Sequence, residues 1–557
     1  TEIYTLSLHD ALPISCRLGG EIGGAADAAI GRLSKPPFDS AAWLRADLTG
    51  ETVTEFDGKW GHLLARPFKH YSGDISGRFL EVLSLHARGD RAVHPALADL
   101  VAAIPGYQRP GGYFAAFGAI DWQQAIDFDR PGGQPLMMPA LWGNSRLLCG
   151  LVEAYRAFGD PALLGSAKRL ADFYVGLLPR FCDPARMKEY QGGDTYAAGY
   201  PICYFPAMEG LTRLYRLTHD KPYLAAAQEM AEFYKPFDKL PIDHAHGMLC
   251  NHVSLLLLWE ETKQPEYLQR VEQRWDALVT GGYIDPSGGI LEKCRLTFDR
   301  DEGCALADWV RLNLELGRVT GKARYWAMAE RTLHNHLLRN QSPAGGFGHR
   351  HMICDGTGVV GFRPEMEEAT WCCDFHGALA LELLGDYLVN RRAGRVELPL
   401  ALDFTSTNAD GGVSSTIAAG QGEEVMRQTV RLTGRAAPLA VRRPHWADGV
   451  TALGADGKPV ALTTDGDWLV TTKPTGAVTF VYRGGLFGED RHCAKLAGEP
   501  AAGQAFVLCF GPKLLAVNAD AEPKVAWPTT LAELTTAGWR PLPATSDKPV
   551  RMVAVRK

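Results

Sequence analysis

Tyr155-Arg-Ala-Phe-Gly-Asp-Pro-Ala-Leu-Leu164 reads as the end of one apolar helix, a Gly-Asp break, and a second helix opening at proline. The pattern returns as Tyr215-Arg-Leu-Thr-His-Asp-Lys-Pro-Tyr-Leu224, Trp259-Glu-Glu-Thr-Lys-Gln-Pro-Glu-Tyr-Leu268 and Gly317-Arg-Val-Thr-Gly-Lys-Ala-Arg-Tyr-Trp326, at offsets of 60, 44 and 58 residues. Each unit is a helical hairpin whose apolar stripe must be buried on its neighbours, so the array either extends as a solenoid or closes into a toroid. The uneven spacing and the long Gly- and Pro-containing loops at 181–206 and 341–364 favour closure, because loops gathered at one end of a ring make a pocket. Residues 16–390 are therefore read as an (α/α)6-type helical toroid, the mainly α part of the chain.

After Arg391-Arg392-Ala393-Gly394 the pattern changes. Gln428-Thr-Val-Arg-Leu432, Trp468-Leu-Val-Thr-Thr472 and Val478-Thr-Phe-Val-Tyr482 are short alternating runs, punctuated by the turn signals Asp456-Gly457 and Asp465-Gly-Asp467. Residues 391–522 are read as a β-sandwich, and 523–557 as a β-rich tail, with a terminal strand at Val550-Arg-Met-Val-Ala-Val555, packing on the sandwich or the toroid. At the other end, Ser7-Leu-His-Asp-Ala-Leu-Pro-Ile14 reads as a translated sequencing adapter, so residues 1–15 are set aside as non-native. The native N-terminus is then expected to be missing, which leaves a bacterial cytoplasmic or periplasmic location open.

The 557 residues carry 58 Lys plus Arg against 64 Asp plus Glu, a net charge of −6 that argues against nucleic acid as a partner. No run of about 18 apolar residues suits a membrane span. Twelve cysteines are too sparse for a disulfide scaffold at this length but enough for a metal site.

Cys372-Cys373 stands directly before the apolar run Gly377-Ala-Leu-Ala-Leu-Glu-Leu-Leu384. At a turn leading into a helix two vicinal thiols can reach one ion, and the helix N-terminus favours the thiolate. Glu302-Gly303-Cys304 lies in the same position before a second apolar helix. Zinc accepts thiolate and carboxylate ligands in tetrahedral geometry, so Glu302, Cys304, Cys372 and Cys373 form a chemically reasonable shell. The 68-residue gap from Cys304 to Cys372 matches no finger or ribbon spacing, and two buried or oxidised thiols at Cys372-Cys373 remain the alternative. Trp142, after the loop Pro131-Gly-Gly-Gln-Pro135, is a candidate stacking platform for a ligand or else a core tryptophan.

Further motifs carry a family resemblance: Asp243-His244-Ala245, Trp275-Asp276 before Gly281-Gly282-Tyr283, Glu302-Gly-Cys304, Ala329-Glu330-Arg331, the vicinal cysteines, Val441-Arg-Arg-Pro-His-Trp446, Gly457-Lys-Pro-Val460 and Phe510-Gly-Pro-Lys-Leu-Leu515. In their order the chain resembles the bacterial β-L-arabinofuranosidases of glycoside hydrolase family 127 and their relatives. The resemblance implies a retaining hydrolase with a zinc-bound cysteine nucleophile, matched by Cys372, and a glutamate acid/base, matched by Glu292. Glu365, Glu367 and Glu368 are the substitutes for that glutamate, because the Glu292–Glu302 connection is shorter than the family's. It also implies sugar contacts at His244 and Glu330, and places His349 and His351 in a loop where the family carries tyrosine. The chain departs from the pattern at the Phe205-Pro-Ala-Met-Glu209 helix start, at Thr370 and at His376.

The implied function is release of a terminal β-L-arabinofuranose or related furanoside from a plant-derived or other glycan, with zinc as cofactor, by the chain alone or as a homodimer. Two readings compete with it. One is a carbohydrate-binding protein with a closed structural zinc; the other is an α/α toroid with different carbohydrate chemistry.

Overall fold

The computed structural model describes residues 15–50, 71–88, 92–116, 119, 120, 122, 137–185, 200–242, 244–285, 287–294, 300–354, 360–392, 394–408, 411–421, 423–490, 505–518, 550–552 and 554–556. The adapter-like segment up to residue 14, most of the loop 181–206 and residues 523–549 lie outside them.

Among the described residues, the helices of ten residues or more are α1 (Gly20–Arg32), α2 (Asp74–Ala87), α3 (Pro95–Tyr107), α4 (Met137–Phe158), α5 (Pro161–Phe181), α6 (Ala207–Thr218), α7 (Lys221–Tyr234), α8 (Ala245–Thr262), α9 (Pro265–Thr280), α10 (Gly303–Thr320), α11 (Ala323–Thr332) and α12 (Cys373–Leu383). The even-numbered helices form an inner wall in which α2 packs on α4, α4 on α6, α6 on α8, α8 on α10 and α10 on α12. Helix α12 then returns to α2, so the array is a closed toroid. Each inner helix has an outer partner next to it in sequence except α12, which is covered by α1. The sixth hairpin is thus made from opposite ends of the helical part.

Burial follows this arrangement. Every residue from Ala245 to Leu258 in α8 and from Gly303 to Gly317 in α10 is buried, as expected of helices surrounded by protein on all sides. The outer α9 buries only the stripe Tyr267, Val271, Trp275 and Leu278. Among the described residues, no helix is long and apolar enough to cross a membrane.

The four repeats found in the sequence are the inner-to-outer corners. Gly159, His219, Lys263 and Gly321 all have positive φ, between 56° and 70°, and each donates its N–H to the carbonyl four residues back. This left-handed stop satisfies an end carbonyl and turns the chain. The next helix opens with proline near its first position in three of the four, and Asp160 caps α5 by accepting from Ala162 N at 2.8 Å.

The β part holds a seven-stranded sheet in the order β1 (Ser15–Leu18), β6 (Phe404–Asn408), β7 (Gly411–Ala419), β8 (Glu424–Gly434), β14 (Ala477–Arg483), β10 (Gly449–Gly454) and β11 (Pro459–Val460). A five-stranded sheet follows the order β12 (Leu462–Asp465), β13 (Trp468–Thr471), β9 (Leu439–Arg442), β5 (Arg395–Leu398) and β4 (Asn390–Arg392), with only β5 and β9 parallel. Val413, Val430, Val478 and Phe480 of the first sheet and Val396, Leu398, Leu439 and Val441 of the second share one buried cluster, which makes the pair a sandwich. All three predicted runs lie on strands β8, β13 and β14, and Gly457 and Gly466 turn at positive φ where Asp-Gly was read as a turn.

Two smaller sheets join the ends to the rest. The hairpin β2 (His349–Cys354) and β3 (Val360–Met366) is extended by β19 (Val550–Met552) and β18 (Ala516–Asn518), while β20 (Ala554–Arg556) pairs with β16 (Ala505–Phe510). Helices and sandwich are locked where Glu330 meets Arg442 Nη2 at 3.0 Å and Trp446 Nε1 at 3.2 Å, and helices and the sheet of β16 where Asn335 bonds Pro512 O and Leu514 N. Several of the motifs quoted from the sequence are therefore the two faces of one interface.

Candidate active site

The first residues of α8, α10 and α12 lie together at one end of the ring. His244 is the N-cap of α8, Glu302 of α10 and Cys372 of α12. A Cβ on Gly303 would come within 2.9 Å of Cys373 Cβ, so the missing side chain is what lets α10 and α12 approach so closely. Glu302, Cys304, Cys372 and Cys373 are all buried, and one ligand atom from each lies within 4.8 Å of the others. The 68-residue gap is thus spanned by helix packing rather than by a ligand loop.

Sγ of Cys373 is 3.6 Å from that of Cys372 and 3.8 Å from that of Cys304. A regular tetrahedron with bonds of about 2.3 Å has sulfur–sulfur edges of about 3.8 Å, so the spacing suits zinc. Glu302 Oε2 is buried and accepts no hydrogen bond among the described residues; His244 Nε2 stands 3.6 Å away, beyond hydrogen-bond reach. A buried carboxylate oxygen that faces the His244 ring only at ion-pair distance, beside three thiols on converging helix N-termini, fits a cation.

The three thiols are not equivalent. Hydrogen bonds from Cys304 and Cys373 draw the Cys372 thiol well below its ordinary range, while burial pushes Cys304 and Cys373 up, so negative charge settles first on Cys372. Cys372 is 5% exposed and the other two are at 0%. Arg78 Nη1 lies 3.7 Å from Cys304 Sγ and His349 Nε2 lies 3.9 Å from Cys373 Sγ; among the described residues Cys372 has no such partner outside the cluster.

Glu292 is 1% exposed, on the segment between α9 and α10. Burial, then the charge of Glu302, pushes its carboxyl up to about 7 against the pull of His349 and Arg300. Arg300 Nε donates to Glu292 Oε2 at 2.6 Å, and His349 Nδ1 stands 3.7 Å from the same oxygen. His349 thus spans the distance from Glu292 to the thiols. Glu302 goes the other way: although burial raises it, His244, His246 and His349 hold it below the usual carboxylate range.

Of the substitutes, Glu365 is 37% exposed on the far side of Arg300, and Glu368 pairs with Arg32 at 2.8 Å and Ser342 at 2.7 Å. Glu367 contributes its backbone carbonyl to Arg350. Glu330 is engaged at the sandwich interface described above, away from the thiol cluster's contacts. Trp142 is 3% exposed; its Nε1 donates to Asp74 Oδ1 at 2.9 Å and its ring packs against Arg78, Arg146 and His246, so it forms part of the wall beneath the cluster. The His351 side chain lies outside the described residues.

Sequence reasoning missed what lies under the thiols. Arg78 on α2, His246 on α8, Asp308 on α10 and His376 on α12 meet at the ring axis, with Arg78 bonded to both histidines and His246 to Asp308. No motif marks Arg78, His246 or Asp308, and His376 stands out only as a departure from the family pattern. The same inner helices also bury Glu81, Asn251, Arg311 and Glu315, so no local signal sets this group apart.

The described residues form a six-hairpin toroid joined to a sandwich, with the buried Glu292 linked through His349 to a thiol and carboxylate cluster. The catalytic-domain profile described as β-L-arabinofuranosidase, GH127, matches residues 57–385. The chain belongs to that family, and it is a glycoside hydrolase. Among solved structures it is similar to a GH127 β-arabinofuranosidase at 17% identity and a TM-score of 0.67, covering 92% of this chain and 85% of the other. It is similar also to a GH127 β-L-arabinofuranosidase from Geobacillus stearothermophilus T6, at 14% identity, a TM-score of 0.65, and coverage of 97% and 96%. At such identities these likenesses show the fold. No curated protein matches the sequence.

Proposed function

We propose that the chain is a retaining glycosidase that releases a terminal β-L-arabinofuranose or related furanoside, with Cys372 as nucleophile and Glu292 as acid/base. The observation that carries this reading is the Cys372 thiol at the N-terminus of α12, in a thiol cluster that His349 links to the buried Glu292 carboxyl. The family assignment and its arabinofuranosidase relatives support the choice of sugar.

Glu302, Cys304, Cys372 and Cys373 would hold zinc, which when bound keeps the thiols deprotonated at neutral pH. The Cys372 thiolate attacks the anomeric carbon as the bond to the leaving-group oxygen breaks, and protonated Glu292 gives that oxygen its proton. Glu292, now a carboxylate, takes a proton from water; the hydroxide attacks the anomeric carbon, the C–S bond breaks and the thiolate returns. Two displacements retain the configuration. His244 and His349 line the approach, and Glu292 is kept in place by Arg300.

The test is a panel of aryl furanosides and pyranosides assayed with the wild type, Cys372→Ser and Glu292→Gln, with zinc content measured beside it. Turnover of a β-L-arabinofuranoside that drops at least about a thousandfold in Cys372→Ser is expected, on the scale seen when a nucleophile is removed. Undiminished turnover in that variant rejects the mechanism. One zinc bound with no furanoside turned over favours the carbohydrate-binding reading, or a divergent substrate, instead.

A further inference from the structure

A divalent ion held by three thiolates and a carboxylate leaves two negative charges in excess inside a dry site, which is unfavourable unless a cation stands nearby. Arg78 is the cation that touches the cluster, its charge shared between Asp74 and the thiols. It is 2% exposed on the second turn of α2, and its Nε bonds Asp74 Oδ1 at 2.7 Å. Nη1 lies 3.7 Å from Cys304 Sγ and 2.5 Å from His376 Nδ1, and Nη2 lies 3.1 Å from His246 Nε2.

These contacts also decide where an ion can sit. His246, Cys304 and His376 present ligand atoms within 4.8 Å of one another, a second pocket that shares Cys304 with the first. The guanidinium fills it. Because Arg78 donates to His246 Nε2, the His246 proton sits on Nδ1, facing Asp308 Oδ2; because it donates to His376 Nδ1, the His376 proton sits on Nε2, 3.8 Å from Asp308 Oδ1. Both nitrogens that could bind metal beside Cys304 are already used.

We propose that Arg78 is the positioning residue that gives the three thiols different jobs: it holds Cys304 as a fixed ligand, keeps the ion out of the His246–His376 pocket, and so leaves Cys372 as the sulfur available to react. The Arg78 charge acts on Cys304 and Cys372 alike, but a hydrogen bond to a thiolate lowers its nucleophilicity, and that donor sits on the spectator Cys304 sulfur and not on the reactive one. This rests on the zinc and Cys372 reading above.

The test compares Arg78→Met and Arg78→Lys with the wild type in two measurements that need no substrate. The first is zinc affinity by competition with a chromogenic chelator. The second is alkylation of the zinc-loaded protein with iodoacetamide, the modified cysteine being located by peptide mass spectrometry. The wild type is expected to bind one zinc and to label at Cys372. Arg78→Met is expected to lose about 10- to 100-fold in zinc affinity, the usual effect of removing an outer partner, and to divide its label between Cys372 and Cys304. Arg78→Lys keeps the charge but cannot serve Asp74 and Cys304 together, so affinity recovers to within about tenfold while label still reaches Cys304.

Unchanged affinity with label confined to Cys372 in Arg78→Met overturns the proposal; should that variant not fold, label confined to Cys372 in Arg78→Lys does the same. A wild type that binds no zinc, or labels elsewhere, rejects the underlying reading of the site instead.

Discussion

Arg300 and Glu292 face each other across the short segment that leads into α10, with Nε 2.6 Å from Oε2, and the same guanidinium reaches Glu365 at 2.9 Å. Arg300 is one of the groups that pull the Glu292 carboxyl down from where burial and Glu302 would set it, and the balance lies at about 7. As the proton donor Glu292 works in its neutral form, so kcat/KM should fall as pH rises through about 7. Arg300→Met removes the pull and moves that alkaline limb to higher pH. Glu292→Gln removes the limb together with most of the activity. Rates from pH 5 to 9 on an aryl furanoside decide it; a limb that stays in place in Arg300→Met assigns the titration to another group.

The raised carboxyl also bears on stability. A group whose folded value lies above its ordinary 4.5 favours the fold fully below pH 4.5, and that contribution is lost as pH climbs through about 7. Glu292→Gln, neutral throughout, should therefore melt higher than the wild type at pH 8, with the difference closing by pH 5. Calorimetry at the two pH values checks the sign.

Removing the metal should loosen the end of the ring where α10 and α12 meet. A ligand bound only by the folded chain stabilises it by about 4 kcal/mol at a thousandfold excess over its Kd. Chelation should lower Tm by several degrees and zinc should restore it, whereas in Glu302→Gln and Cys373→Ser the restoring step should need at least tenfold more zinc. A Tm indifferent to chelator would mean that the 3.6 and 3.8 Å sulfur spacings serve packing alone.

The corners show how much of this fold the chain displays on its own. Gly159, His219, Lys263 and Gly321 repeat because each must end a helix in the left-handed region and start another, a local requirement that leaves a local mark. The α12–α1 hairpin leaves none, since its helices come from opposite ends of the helical part and their pairing is a matter of packing. The site divides in the same way. Glu302, Cys304, Cys372 and Cys373 were legible because cap positions and vicinal thiols are rare, but Arg78, His246 and His376 belong to three different helices and become a group only once the ring has closed.

At two corners the left-handed residue is not glycine. His219 has φ 58° and Lys263 has φ 56°, a conformation that disfavours a Cβ by roughly 1 kcal/mol. Both residues recover part of this on the ring four residues back: Lys263 sets Nζ 4.7 Å over Trp259, and His219 stands edge-on to Tyr215 with centroids 6.0 Å apart. His219→Gly and Lys263→Gly should therefore each change stability by less than about 1 kcal/mol. Urea melts of the two variants measure the change.

The last prediction concerns His336, buried between two carboxylates that flank the Glu292 segment. Its Nε2 lies 2.7 Å from Asp301 Oδ2 and its Nδ1 3.1 Å from Asp285 Oδ2, while Asp301 also takes the Arg350 N–H at 2.6 Å. Burial works against the imidazolium, yet Asp285 and Asp301 outweigh it and push His336 up to about 9. A histidine raised above its ordinary 6.5 stabilises the fold fully below pH 6.5, and the contribution, on the order of 3 kcal/mol, fades as pH rises through about 9. His336→Ala leaves two buried carboxylates without their cation and should cost about 3–5 kcal/mol at pH 6.5. Because the wild type loses its own imidazolium on the way up, the gap between the two proteins should shrink by pH 9.5. Since Asp301 adjoins Glu302, the variant should also bind zinc more weakly at pH 6.5, and less so when Asp285 is replaced by Asn in the same chain. Urea melts at the two pH values, with zinc competition beside them, carry the test; a stability gap that does not change with pH would assign His336 to packing rather than to charge.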